Sequence, residues 1–144
     1  MNQTIERSQK TILVAVTDIF FYTKVRDALL PKGYRLEKVR TQRDIAEKAS
    51  SMNPVAVILN MNDQALDAFR ALQTLKADAR WKMIPVLAFA NHEEVETWNR
   101  AKALGVSKIV SRNEFSTRTK DLVEDMLANN FQPSAIVHES LDRS

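Results

Sequence analysis

The chain has 144 residues, 44% apolar and 27% charged, which suits one soluble domain with a full hydrophobic core. It has no cysteine, which excludes disulfides and thiolate metal sites. No apolar run approaches the roughly 20 residues that span a bilayer. The net charge of +3 is only mildly basic, and the polar N-terminus "MNQTIERSQK" shows no signal-peptide pattern, so a cytoplasmic location is expected.

The elements follow in chain order. Residues 1–10 read as an N-terminal extension, 11–128 as one domain and 129–144 as a C-terminal tail. "TILVAV" (11–16) is a β-branched apolar run and predicts a strand buried on both faces. "DIFFYTKVRDALLPKGY" (18–34) predicts a helix with Phe21, Val25, Ala28 and Leu29 on one side and Gly33 as its stop. "YRLEKVR" alternates like a short strand. "TQRDIAEKASSMN" (41–53) predicts a helix with Thr41 as N-cap and Ile45, Ala46 and Ala49 inward. "VAVILN" (55–60) is the next strand. "ALDAFRALQTLKADA" predicts a helix with Leu66, Phe69, Leu72 and Leu75 along one side.

"IPVLAFA" (84–90) predicts a buried strand with Pro85 near its start, where a missing N–H matters least. "NHEEVETWNRAKALG" predicts a helix capped by Asn91, with Glu94 in the capping-box position and Gly105 past its end. "VSKIV" is a last short strand, and "STRTKDLVEDMLA" (116–128) a helix capped by Ser116. The tail has no period and reads as a flexible extension, with Phe131 or Ile136–Val137 as candidate docking residues. Five βα units imply an α/β fold: a five-stranded parallel sheet between two helical layers. With two glycines in the chain, no GxGxxG or P-loop pattern follows any strand.

At this point the chain resembles the receiver domains of response regulators, over about residues 10–128. "ILVAVTD", "PVAVILNMND", "IPVLAFAN" and "ALGVSKIVSRNEF" carry the resemblance. It implies a flavodoxin-like (βα)5 fold with strand order 2-1-3-4-5 and chemistry at the carboxyl ends of the strands. The family places two acidic residues after the first strand, a phospho-acceptor aspartate after the third, a hydroxyl after the fourth and a lysine after the fifth. Here those positions fall at Val16 and Thr17 (with Asp18 one further), Asn60, Ala90 and Arg112. The aromatic switch position falls at Ile109.

An amide is no substitute for a carboxylate nucleophile. Magnesium wants hard oxygen ligands including carboxylates. The resemblance is therefore to the degenerate pseudo-receiver subgroup. It implies a non-enzymatic, cofactor-free signalling module that acts by phosphorylation-independent contact with a protein partner. A homodimer through the face of the fourth helix, fifth strand and fifth helix is one form of that contact, and no DNA-binding output domain is expected.

Several residues keep two readings open. Arg112 either pairs with Asp18 or Asn60 and fills the site, or points to solvent. Asp18 and Asp63 read as cap or loop residues, Asp63 without hydroxyl or metal partners. Trp98 sits at the edge of the core or forms a partner contact. His92 and His138 lack companions for a metal site. Two alternative functions remain: an anion or small-ligand sensor built on Thr17, Asn60, Ala90 and Arg112, and a nucleic-acid module through the basic stretch Lys32, Arg35, Lys38, Arg40 and Arg43. That stretch has no interleaved aromatics, so nucleic acid is the less expected partner. No membrane contact is expected.

Overall fold

The computed structural model describes residues 9–129. The tail, with Phe131, Ile136–Val137 and His138, and most of the N-terminal extension lie outside them. Five parallel strands form one sheet in the order β2-β1-β3-β4-β5: β1 Thr11–Ala15, β2 Arg35–Lys38, β3 Ala56–Asn60, β4 Val86–Ala90 and β5 Lys108–Ser111. The predicted (βα)5 fold and strand order are therefore present. β3 and β4 are buried along their whole length, which is why they read as unbroken apolar runs rather than alternating ones.

Alternate strand residues face opposite layers. Ile12, Val14, Ile58, Leu87 and Phe89 meet α1 (Ile19–Leu29) and α5 (Arg112–Asn129) through Val25, Leu29, Phe115, Leu122 and Val123. Leu13, Ala15, Val57, Leu59 and Ala88 meet α2 (Asp44–Met52), α3 (Ala68–Ala77) and α4 (Val95–Leu104) through Ile45, Ala49, Leu72, Leu75 and Ala101. Each fully buried aliphatic side chain contributes about 1.5–3 kcal/mol. The first layer is aromatic where it nears the strand ends. Phe89 stacks on Phe115 at 4.1 Å between centroids, and Phe21 leans on Phe89 at 4.9 Å.

Helix ends differ from the sequence expectation in four places. α2 begins at Asp44, because Thr41 supplies a carbonyl to the Asp44 N–H and its side chain caps nothing. α3 begins at Ala68, capped by Asp67 through the Arg70 N–H, which leaves Leu66 in the preceding loop. α4 begins at Val95; Asn91 opens a turn by accepting from the Glu93 N–H instead of capping the helix, and Glu94 makes no capping box. α5 begins at Arg112 rather than after Ser116. Ser111 Oγ accepts from the Glu114 N–H, a first helical turn forms over 112–117, and the axis kinks at Arg118 (φ −129°, ψ 27°).

The two glycines sit where a positive φ is required. Gly33 (φ 91°) closes the 3-10 turn Leu30–Lys32 after α1, and Gly105 (φ 101°) closes α4. Both lie on the edge of the sheet where strands begin.

Candidate functional site: the carboxyl edge of the sheet

The register aligns the strand ends. Ala15 pairs with Leu59, Asn60 with Phe89, and Ala90 with Ser111. The loops that follow β1, β3, β4 and β5 therefore leave from one edge. Val16 and Ala90 are fully buried beneath it and offer only apolar surface. Asn60 is 5% exposed; its Oδ1 accepts from the Asn62 N–H at 3.0 Å and its carbonyl from the Asp63 N–H at 3.1 Å. The side chain is thereby used in folding its own loop back, as asparagines do in Asx turns. Asp18 is the exposed N-cap of α1, its Oδ1 accepting from the Phe20 and Phe21 N–H groups.

The centre of the edge is held by Asp63. Its Oδ2 accepts from the Thr17 N–H at 2.7 Å. Its Oδ1 accepts from the Thr17 hydroxyl at 2.7 Å and from the Ala65 and Leu66 N–H groups at 2.9 and 3.2 Å. Four donors converge on this carboxylate, three on Oδ1 and one on Oδ2. The expectation that Asp63 has no hydroxyl partner is thus corrected: Thr17, brought beside it by β1–β3 pairing, supplies one. Asp63 caps its own loop and, across 46 residues of sequence, fastens the β1 loop to the β3 loop.

Asn62 continues the fastening in the other direction. Its Oδ1 accepts from the Asn91 N–H at 2.7 Å and its Nδ2 donates to Glu94 Oε1 at 2.7 Å. Glu94 Oε1 also accepts from Thr97 Oγ1, and the Asn91 carbonyl accepts from Trp98 Nε1 at 3.0 Å. Side chains thus lace the β1, β3 and β4 loops into one unit. Asn62, Asn91 and Glu94 were not singled out as site residues by sequence reasoning. The Asn/Asp-rich run "NMND" is the signal for such a turn, but its cross-loop partners depend on the fold.

Arg112 stands apart. It is exposed, and among the described residues it makes no hydrogen bond or ion pair, so the pairing with Asp18 or Asn60 is not formed. The helical turn that begins at Arg112 starts its side chain from a helix rather than a loop. Ile109 is buried among the aliphatic residues of the α2–α4 side. Trp98 is half-buried, packed at the edge of that core with its N–H committed to Asn91. His92 is exposed beside Glu93.

Magnesium does not fit this donor set. Asp63 accepts from four donors, Asn60 Oδ1 is taken, Asp18 caps its helix, and Val16 brings no side-chain oxygen. Among the described residues no group of three His, Cys, Asp or Glu side chains could hold a metal ion. No helix among them is long and apolar enough to cross a membrane. Of the basic stretch, Lys32 pairs with Glu124 at 3.5 Å and Lys38 lies over the Tyr22 ring at 4.6 Å. Glu37 pairs with Lys48, which raises the Lys48 pKa chiefly through their hydrogen bond.

The architecture is the flavodoxin-like fold of response regulator receiver domains. The receiver domain of NtrX from Brucella abortus superposes with a TM-score of 0.71 at 19% identity, covering 81% of this chain and 98% of that one. The chemotaxis protein CheY4 of Vibrio cholerae gives 0.72 at 17% identity, covering 82% and 98%. The phosphorylated cyanobacterial phytochrome response regulator RcpA gives 0.71 at 16% identity, covering 87% and 96%. No family model matches the sequence, and no curated protein matches it significantly.

Proposed function

We propose that this chain is a pseudo-receiver: a signalling module that acts through contact with a protein partner and takes no phosphoryl group. The receiver fold supports the signalling role. The observation that carries phosphorylation independence is the end of β3, where Asn60 stands at the acceptor position and the carboxylate three residues on, Asp63, is engaged by Thr17, Ala65 and Leu66. Asn60 has no carboxylate and spends its amide oxygen on the loop. The acceptor position thus offers an amide where the reaction needs a carboxylate nucleophile, and Asp18 and Asp63 are committed to capping and fastening their loops.

The test is incubation with acetyl phosphate and magnesium, read by intact mass. The expected result is an unmodified chain. Asn60→Asp is expected to remain unmodified too, because the new acid gains no metal ligands. A phosphoryl adduct on any aspartate of the unaltered chain overturns the reading. The alternative of an anion sensor rests on Arg112, which is exposed and stands outside the Asp63 network; ligand stabilisation unchanged in Arg112→Ala removes it. The homodimer through α4, β5 and α5 rests on Trp98, whose ring is half-buried and whose N–H is already satisfied.

A further inference from the structure

The edge where the strands begin is of another kind from the one where they end. All five strands are parallel, so their first residues come together there. Arg35 opens β2, and its N–H donates to the Lys10 carbonyl at 2.7 Å. Lys108 opens β5 beside Leu87 of β4. Lys82 lies in the turn before β4, its carbonyl accepting from Lys76 Nζ at 3.0 Å. Lys10, Arg35, Lys82 and Lys108 are exposed and make no ion pair among the described residues. The carboxylates nearby are already engaged: Asp78 by Arg80 at 2.8 Å, Glu124 by Lys32 at 3.5 Å and Asp125 by Arg118 at 3.9 Å.

Cations are ordinary where helices end, because they meet the negative pole of the helix. Arg26, Lys76 and Lys102 occupy last turns and need no other reason. Lys10, Arg35, Lys82 and Lys108 stand outside the helices, so that reason does not reach them. Apolar side chains accompany them into water. Met83, next to Lys82, is 68% exposed, and Leu30, in the turn that leads to Arg35, is 49% exposed.

We propose that this edge rests on an anionic lipid bilayer, with the four cations over the headgroups and Met83 and Leu30 dipping among them. The inference goes beyond the protein-contact reading and leaves the carboxyl edge facing away, free for a partner. Such a contact is peripheral, needs no spanning helix, and departs from the sequence expectation of no membrane contact. Geometry and charge choose the occupant. β2 and β5 are the outer strands, about 19 Å apart at four strand spacings. A narrow peptide segment would meet the cations of one side, whereas a plane meets both. Phosphates of a duplex could span the same distance but would leave Met83 and Leu30 in water. A second copy docked two-fold would set the cations against themselves. A bilayer supplies both the negative surface and the apolar layer beneath it.

The test is co-sedimentation of the full chain with phosphatidylcholine vesicles, with and without phosphatidylglycerol. Binding is expected on the mixed vesicles alone and is expected to weaken as salt rises. The pairs Lys82→Glu with Lys108→Glu and Lys10→Glu with Arg35→Glu are each expected to weaken it about tenfold or more. Met83→Ser, which leaves the charge alone, is expected to weaken it about threefold. Arg40→Glu, beyond the far end of β2, is expected to leave it nearly unchanged. Since the chain has no cysteine, Met83→Cys carries a single environment-sensitive dye, whose emission is expected to shift to the blue on mixed vesicles. Circular dichroism checks that the variants stay folded. No binding to mixed vesicles, equal binding to neutral ones, or a loss in Arg40→Glu as large as in the paired variants overturns the proposal. So does a dye that stays in water while the chain binds. Duplex DNA binding or dimerisation that depends on Arg35 and Lys82, without vesicle binding, overturns it in favour of that occupant.

Discussion

The closed centre and the start of α1 are neighbours on one edge, yet they treat their polar and apolar groups in opposite ways. Around Asp63 four donors from the chain itself converge on one carboxylate. At the start of α1, Ile19 and Phe20 leave apolar surface in water. Groups satisfied internally stabilise the fold and offer little to a ligand. Groups left unsatisfied add little to the fold and are available to a partner. Substitutions in the first region are therefore expected to register in stability, and in the second region in binding.

The largest effect is expected under the closed centre. Phe115→Ala removes the ring stacked on Phe89 and lowers unfolding free energy by about 3–5 kcal/mol, measured by urea denaturation. Asp63→Ala orphans Thr17 and two loop N–H groups and is expected to cost about 2 kcal/mol. Thr17→Val, which keeps the shape and the backbone bond but removes the hydroxyl, is expected to cost about 1 kcal/mol. Ile19→Ser and Phe20→Ser should stay within about 0.5 kcal/mol of the parent. A Phe20 variant as unstable as Asp63→Ala would erase the distinction between the two regions.

The smallest effect lies away from both. Asp78 is held down to about 2 by hydrogen bonds from the Arg80 side chain and then its backbone N–H. The folded value lies below the ordinary 3.8, so its contribution is complete above that value and is lost as pH falls toward 2. Asp78→Asn is expected to flatten the thermal midpoint slightly across that window.

The strands were legible because burial on both faces leaves unbroken apolar runs such as "VAVILN", and their order followed from the resemblance. The helix starts were not. Thr41, Asn91 and Ser116 all look like caps, but Thr41 and Asn91 sit in turns ahead of their helices, and Ser116 lies inside α5 with its hydroxyl on the Asn113 carbonyl. The positions that depart from the receiver pattern could be counted along the chain. The use of Asp63 could not, because Thr17 lies 46 residues away and only β1–β3 pairing brings it within reach. The exposure of Ile19 and Phe20 was equally hidden, since "DIFFYTKV" shows five apolar or aromatic residues without saying which turn outward.

Gly33 and Gly105 both sit where helices return to the sheet, so the carboxyl edge contains no glycine at all. Each of its loops is built from residues with a Cβ and tied by side-chain bonds, with no hinge about which the backbone can swing. Such an edge behaves as a fixed jig. What it presents to a partner is set by the side chains that stand on it, and these can be exchanged without retooling the frame that holds them.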